Sequence, residues 1–283
     1  MEPKRPWTAT YRVQLSSGFT FNDLGALAPY LAELGISHVY LSPVLQAAPG
    51  STHGYDGIDP TRLSSDLGGA AAYERASAVL EQHGLGQLVD IVPNHLATLY
   101  ENPWWRDLLT NGPASKYAGY FDLRWHGTPP HIRLPVLGDE LDTVVKAREL
   151  RLDTNGGSEV VLRYYDALFP LALESRPDRS QFEAVNEDPA ALLALLERQH
   201  YRLVYWKTSS REIDYRRFFD INGLAGLRVE DDAVFDDVHR LILELVREGH
   251  IDGLRIDHID GLKDPARYLE KLRAAVGDTP IYV

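Results

Sequence analysis

Residues 251–261 read IDGLRIDHIDG and combine an apolar alternation with many charged groups. Leu254 and Ile256 alternate with Arg255 and Asp257, a period of two that is typical of a β-strand. Charged side chains are rarely fully buried unless they are paired. On a strand, Arg255 and Asp257 point the same way and can pair with each other. Such pairing keeps a carboxylate ionised and fixes its direction, as a nucleophilic carboxylate requires.

A second group of polar residues, Asp90, Asn94 and His95, stands at the end of the predicted strand GQLVDIVP. In a parallel β/α barrel, the C-terminal ends of the strands gather around one mouth, where the chemistry of that fold takes place. We therefore expect these three residues to share a pocket with Arg255 and Asp257. The charges of the opening stretch would then lie at the floor of a pocket and not in a sealed core.

Strands and helices alternate along the first ninety or so residues. Leu24, Leu27, Leu31 and Leu34 recur at helical spacing until Gly35, which is a typical C-terminal glycine. The predicted strands are 9–15, 38–44 and 86–93, and a helix is predicted over 68–84. Strands that alternate with helices indicate parallel βαβ units and therefore an α/β fold.

This alternation stops after residue 95 and resumes near residue 214. Between them, the helix-like DPAALLALLERQ and the strand-like VVLRYYD stand among connections rich in proline, glycine and charge. A structureless loop of this length would be unusual, so we predict an inserted subdomain over 96–213. Barrel segments would then occupy 1–95 and 214–283. The second contains an amphipathic helix, the strand DGLRID, a capped helix and, at PIYV, the start of a fifth strand.

Composition argues against several kinds of partner. The chain has 283 residues, a formal net charge of −12 and no cysteine. The negative charge disfavours nucleic acid and anionic membranes as partners and suits a neutral substrate. Without cysteine, a signal-peptide pattern or a membrane-spanning run, we expect a cytoplasmic location. No cofactor is indicated, and no acidic cluster has the spacing expected of metal ligands.

Each motif also has an ordinary structural interpretation. An Arg-x-Asp pair is more often an ion pair than a catalytic pair, and DIVPNH fits equally well a strand followed by a capping turn. HGYDGIDP, at 53–60, is rich in turn formers and on its own predicts a loop. Trp104 and Trp105 are expected to pack in a core and not to form a sugar platform. The occurrence of all these motifs together, in this order, favours a functional site.

DIVPNH and GLRIDH resemble the first two signature regions of the α-amylase superfamily. This resemblance implies the N-terminal part of a (β/α)8 TIM barrel with a subdomain inserted after strand three. Longer stretches are similar to the maltooligosyltrehalose synthase family within it: SPVLQAAPGSTHGYDGIDPTRLSSDLGG, YRRFFDINGLAGLRVE and RIDHIDGLKDP. The sequence departs from the family pattern at Leu96, Asp214 and Ile259, where methionine, asparagine and proline are usual.

The resemblance implies an activity that needs no cofactor: rearrangement of the reducing-end α-1,4 linkage of a maltooligosaccharide into an α,α-1,1 linkage. By position, Asp257 matches the nucleophile and Arg255 matches its orienting partner. Asp90 and His95 match residues that bind the sugar at the cleavage site, and Tyr55 matches an aromatic residue that stacks on that sugar. Further candidate substrate-binding residues in the matched stretches are His53, Asp56 and Asp260.

A retaining mechanism uses two carboxyl groups roughly 5 Å apart, one attacking and one moving the proton. In the family, the acid/base glutamate follows the strand that matches PIYV, and a further aspartate stabilises the transition state. We therefore expect the 283 residues alone to be inactive and to require the C-terminal half of the barrel. Two alternatives stay open. One is an α-glucan hydrolase or glucanotransferase of the same superfamily, and the other is a non-catalytic half-barrel that at most binds glucan.

Overall fold

The computed structural model describes residues 5–283, which divide into two compact units. The first unit joins the residues up to Leu96 to the segment Leu227–Val283, and the second unit is the continuous stretch Ala97–Gly226. The second unit therefore ends later than residue 213, where the sequence placed the end of the interruption. Within residues 5–283, no helix is both long and apolar enough to cross a membrane.

The elements of the first unit come from both of its segments. Those before the second unit are β1 (Thr10–Val13), α1 (Phe21–Glu33), β2 (His38–Leu41), β3 (Leu45–Ala47), β4 (Gly57–Leu63), α2 (Gly69–Gln82), β5 (Gly86–Ile91) and β6 (His95–Ala97), the last of which reaches the boundary.

The second unit contains α3 (Pro103–Asn111), β7 (Ile132–Leu137), α4 (Leu141–Lys146), β8 (Leu150–Thr154), β9 (Val160–Tyr164), β10 (Ala167–Pro170), α5 (Phe182–Glu187), α6 (Pro189–Leu196), β11 (Tyr201–Tyr205), α7 (Ser209–Glu212), β12 (Arg217–Phe218) and β13 (Ile221–Gly226). The first unit then resumes with α8 (Asp232–Arg247), β14 (Gly253–Ile256) and α9 (Pro265–Val276).

A parallel sheet in the order β1-β2-β5-β14 is the framework of the first unit. Because these strands are parallel, their C-terminal ends lie along the same edge. Tyr282 makes a parallel bridge to Gly253 of β14, in agreement with a further strand that starts at PIYV. Val39, Leu41 and Val89 give the sheet an apolar core and have no exposed surface. The parallel pairing predicted from the βαβ pattern therefore brings the C-terminal ends of β5 and β14 side by side, with Asp90 opposite Arg255.

The stretch HGYDGIDP is only partly the loop that its turn formers predicted. Gly57 begins β4, which pairs with β3 in antiparallel fashion, so the prediction is wrong for 57–60. Ile58 is buried. The Asp59 carboxylate accepts hydrogen bonds from Thr61 N and Arg62 Nε, both at 3.0 Å. Burial and these local hydrogen bonds override the turn propensity of this segment.

The second unit has a core of its own. β8, β9 and β10 form an antiparallel sheet, and β7 pairs with β11 in parallel. Trp104 and Trp105 are 3% and 1% exposed, which confirms that they pack in a core. The Trp105 ring meets the rings of Phe121 and Tyr215 edge to face, with centroids 5.1 and 5.4 Å away. Such aromatic pairs favour burial of large rings.

Candidate active site

Asp90 lies near the end of β5, and its side chain has no exposed surface. Oδ1 accepts a hydrogen bond from Arg255 Nη1 at 3.0 Å. Oδ2 accepts hydrogen bonds from the hydroxyl groups of Tyr55, at 2.5 Å, and Tyr40, at 3.1 Å. A buried carboxylate is tolerated when it is paired and hydrogen-bonded in this way. Asp90 is therefore the fixed centre of a polar network.

Arg255 links this buried carboxylate to Asp257. Its Nη1 also donates to Asp257 Oδ1 at 2.7 Å, which confirms the pairing expected from their spacing. Burial by itself would lower the pKa of Arg255, but the hydrogen bonds to Asp90 and Asp257 raise it above the usual value. The guanidinium thus stays charged between two carboxylates. The Asp257 side chain is 16% exposed, so its carboxylate remains accessible.

The main chain of Asp257 is anchored to the end of β5. Its N–H donates to the Ile91 carbonyl oxygen, and its own carbonyl oxygen accepts from Asn94 Nδ2, both at 2.9 Å. The next residue, His258, has a left-handed backbone with φ of 54°. A Cβ added to Gly261 would lie 2.4 Å from His258 Nε2, so any other residue there would require the His258 ring to move. The HIDG sequence therefore supports the turn that follows Asp257.

His95 is buried between the same segments. Nδ1 lies 2.6 Å from Asn94 Oδ1, and Nε2 lies 2.9 Å from the Tyr55 carbonyl oxygen. Burial lowers the pKa of His95 to about 4, so the imidazole is neutral near pH 7. Both ring nitrogens face oxygen atoms of the protein, and a neutral ring can donate a hydrogen bond to only one of them.

Tyr55 comes from the irregular segment between β3 and β4. Gly54 precedes it with φ of 79°, and a Cβ there would approach the Pro43 carbonyl oxygen to 3.0 Å. Burial and the hydrogen bond to Asp90 raise the pKa of Tyr55 to about 12, so the hydroxyl stays protonated and donates. The residue is half-buried, which leaves part of its ring open to a ligand.

The remaining predicted residues lie at different distances from this network. His53 Nδ1 and Asp56 Oδ1 are 3.8 Å apart beside Tyr55, and the Ser51 hydroxyl donates to Asp56 at 2.5 Å. Asp260 lies apart, since its carboxylate is 86% exposed and pairs with His258 Nδ1 at 3.3 Å. The predicted residues that the network connects directly are Asp257, Arg255, Asp90, Tyr55 and His95.

Sequence reasoning missed two members of the network, Arg12 on β1 and Tyr40 on β2. These residues are register partners in the parallel sheet, and the Arg12 guanidinium lies 4.6 Å from the centre of the Tyr40 ring. The available signal was the alternation in TYRVQL, where Val13 and Leu15 are buried and Arg12 is not. A charged residue at that point in a barrel strand is a candidate for the mouth.

The arrangement presents one accessible, directed carboxylate beside a buried carboxylate, a neutral imidazole and a half-buried tyrosine ring. These groups can attack a carbon centre, accept hydrogen bonds from hydroxyl groups and pack on an apolar ring face. His, Asp and Glu side chains in the described part of the chain form no group of three or more able to hold a metal ion.

Comparison with known proteins shows strong similarity to proteins named for maltooligosyl trehalose synthase. A Mycobacterium tuberculosis (strain H37Rv) protein named for maltooligosyl trehalose synthase is 43% identical over 279 residues, covering 96% of this chain and 34% of that protein. The structure of maltooligosyltrehalose synthase from Arthrobacter ramosus matches with a TM-score of 0.85 and 40% identity, covering 98% of this chain and 34% of that one. The chain therefore spans about a third of the length of these relatives.

A more distant relative is the intracellular maltogenic amylase of Bacillus subtilis (strain 168), 31% identical over 94 residues, which are 33% of this chain and 15% of that protein. The family model named Alpha amylase, catalytic domain, matches residues 25–280 of this chain. That match covers the parallel sheet from β2 onwards together with Asp90, Arg255 and Asp257. The chain therefore belongs to the alpha-amylase family and carries residues of its catalytic domain.

Proposed function

We propose that this chain supplies the nucleophile and sugar-binding groups of an isomerase acting on maltooligosaccharides. The reaction would convert the reducing-end α-1,4 linkage into an α,α-1,1 linkage and so form a maltooligosyl trehalose. The observation that carries the proposal is the Arg255 guanidinium, which joins Asp90 to Asp257 at the ends of neighbouring parallel strands. The similarity to proteins named for this activity over almost the whole chain supports it.

The proposal includes the architecture that such an enzyme needs. We infer that β1, β2, β5 and β14 are the N-terminal strands of a (β/α)8 barrel and that 97–226 is a subdomain inserted after the third barrel strand. The parallel order of these strands and the continuous second unit support this assignment. The acid/base and the remaining barrel strands would come from the C-terminal half that the family carries.

The proposed chemistry proceeds in two displacements. The Asp257 carboxylate attacks the anomeric carbon while the glycosidic C–O bond breaks, and the acid/base protonates the departing sugar oxygen. The released glucose then turns, and its anomeric hydroxyl attacks the same carbon. The proton of that hydroxyl returns to the acid/base, and the bond to Asp257 breaks. Asp90 would hold Arg255 and Tyr55 in place, His95 would border the site beside Asp257, and Tyr55 would pack on the face of the reacting sugar.

The test is an incubation of the full-length protein with maltopentaose, with separate assays of reducing ends and of free glucose. Isomerisation predicts that reducing ends disappear while little glucose is released, because the product has no free anomeric carbon. A hydrolase would raise the number of reducing ends. A glucanotransferase would keep that number constant and redistribute chain lengths. An unchanged substrate would favour a protein that only binds glucan, and each of these three results contradicts the proposal.

A further inference from the structure

Arg12 is a second guanidinium beside the Asp90 carboxylate. Its Nη1 lies 3.6 Å from Asp90 Oδ2. Its Nη2 donates to the Tyr55 hydroxyl oxygen and to Gln14 Oε1, both at 3.2 Å. The side chain is 36% exposed and comes from β1, whereas Arg255 comes from β14. The Asp90 carboxylate is therefore contacted by guanidinium groups from both edge strands of the four-stranded sheet, β1 and β14.

Arg12 also changes the charge of the network. Asp90 and Asp257 carry two negative charges, and Arg255 supplies one positive charge between them. The other groups that face the carboxylates are neutral near pH 7, because burial raises the pKa of Tyr40 and Tyr55 and lowers that of His95. Asp56 and His258 are the further titratable groups whose charges act on His95. With Arg12 included, the two carboxylates are matched by two guanidinium groups.

Gln14, two residues after Arg12, supports the same segment. Its Nε2 donates to the carbonyl oxygens of Thr52 and His53, at 3.3 and 3.4 Å. The Gln14 side chain thus holds the backbone of the segment that carries Tyr55. Arg12 contacts the Tyr55 hydroxyl directly. A planar guanidinium can serve both Tyr55 and Gln14 at once, which a single ammonium group does less well.

We propose that Arg12 is a positioning residue of this site, which fixes the Tyr55 hydroxyl and balances the charge of Asp90 and Asp257. This inference rests on the proposed function, since it assumes that ionised Asp257 attacks the sugar. Arg12 acts through Tyr55 and Asp90 and makes no bond to the reacting carbon. Its removal leaves one net negative charge in the network and removes one of the two hydrogen bonds that hold the Tyr55 hydroxyl.

The test compares Arg12→Met and Arg12→Lys with the wild type in the full-length protein. Arg75→Met is the matched control, because Arg75 is exposed on α2 and bonds only to Asn22 among the contacts that the structure shows. For Arg12→Met we expect kcat/KM for maltopentaose to fall roughly tenfold to a hundredfold, with a melting temperature equal to that of the control. The acid limb of its pH–rate profile should move up by about 0.5–1 pH unit, because loss of a nearby cation favours protonated carboxylates.

Arg12→Lys keeps the charge and should return the acid limb to the wild-type position, with only partial recovery of kcat/KM. An unshifted acid limb in Arg12→Met, even with reduced activity, would show a purely structural role and overturn the proposal. So would an Arg12→Lys profile that matches Arg12→Met. If the wild type hydrolyses maltopentaose, the proposed function fails and the Arg12 comparison is made on hydrolysis. If the wild type only binds, it is made on the pH dependence of the dissociation constant.

Discussion

Asp257 is held by contacts with Arg255 of β14 and with Asn94, which lies between β5 and β6. Arg255 Nη1 bonds to its side chain at 2.7 Å, and Asn94 Nδ2 bonds to its carbonyl oxygen at 2.9 Å. The first contact fixes the charged group and the second fixes the backbone that carries it. A carboxylate held at both points loses little conformational freedom when a ligand binds, as its proposed role as nucleophile requires.

Asp257→Asn is expected to remove the covalent step and leave the site otherwise intact. An amide of the same size keeps the contact with Arg255 weakly but cannot attack, so kcat should fall by roughly 10³-fold or more. Maltopentaose affinity, measured by calorimetry in the full-length protein, should change little. Asp278→Asn is the control, because Asp278 is exposed and far along the chain from the network. Turnover close to wild type in Asp257→Asn would exclude Asp257 as the nucleophile.

The sequence was sufficient for some of these residues and not for others. Arg255 and Asp257 could be paired because a strand brings residues two apart to the same side, which is a local rule. Arg12 and Tyr40 could not be found that way, because they reach Asp90 through the lateral register of the parallel sheet. Asp260 stood in a matched stretch, but the turn after His258 leaves it exposed and outside the network. The lateral register of a sheet is a tertiary property that the spacing of residues within one strand does not reveal.

Strands, too, were predicted where the local sequence decides the structure and were missed where tertiary contacts decide it. β2, β5 and β14 were predicted from short strand-like segments, and β14 also from the alternation of Leu254 and Ile256 with Arg255 and Asp257. β4 was missed because Asp59 and Pro60 suggest a turn, whereas Asp59 is satisfied by Thr61 and Arg62 within the strand. In the second unit, short strands pack among irregular connections, so periodicity is too brief to identify most of them.

An ion pair between a buried carboxylate and a partly exposed guanidinium joins two parts of the second unit. The Asp214 side chain, just before β12, is 2% exposed. It accepts hydrogen bonds from Arg133 Nη2 at 2.6 Å, Arg133 Nε at 2.9 Å and Arg133 N at 2.8 Å, and His126 Nε2 is also 2.8 Å away. Burial alone would raise the pKa of Asp214, but the hydrogen bonds from Arg133 lower it overall. The ionised form is therefore stabilised by folding.

Asp214→Asn should destabilise the second unit by about 1–3 kcal/mol at pH 7, because it leaves Arg133 with a poorer partner. A folded-state pKa below the unfolded value means that the stabilisation is complete above about pH 4–5 and is lost as the pH falls through the folded value. The difference in urea unfolding free energy between variant and wild type should therefore shrink on acidification. Asp122→Asn is the matched control, since its carboxylate is 50% exposed in a surface pair with Arg216 and should contribute little. Equal stabilities of Asp214→Asn and wild type at pH 7 would contradict this account.

At the scale of the whole molecule, two backbone hydrogen bonds, each within one unit, lie where the chain passes from one unit to the other. Within the second unit, Thr98 N donates to the Gly223 carbonyl oxygen at 2.8 Å, so the two ends of this unit lie side by side. Within the first unit, Leu227 N donates to the Asn94 carbonyl oxygen at 2.9 Å, which closes the gap that the second unit leaves. Adjacent ends are what a domain needs to be inserted into another domain without disturbing it.

We therefore predict that residues 97–226 fold when expressed as a separate fragment. The stretch is of domain size and buries its own apolar side chains, among them Trp105, Leu108, Phe121, Leu134, Leu162 and Tyr201. The fragment should unfold cooperatively in urea, with tryptophan emission that shifts to longer wavelength as Trp105 becomes exposed. Trp105→Ala in the fragment should lower its unfolding free energy by about 3–5 kcal/mol, because the cavity cannot close around a ring of this size. A wild-type fragment without a cooperative transition would show that the second unit depends on the first for its fold, and that its own core is too weak to overcome the entropy of the ordered chain.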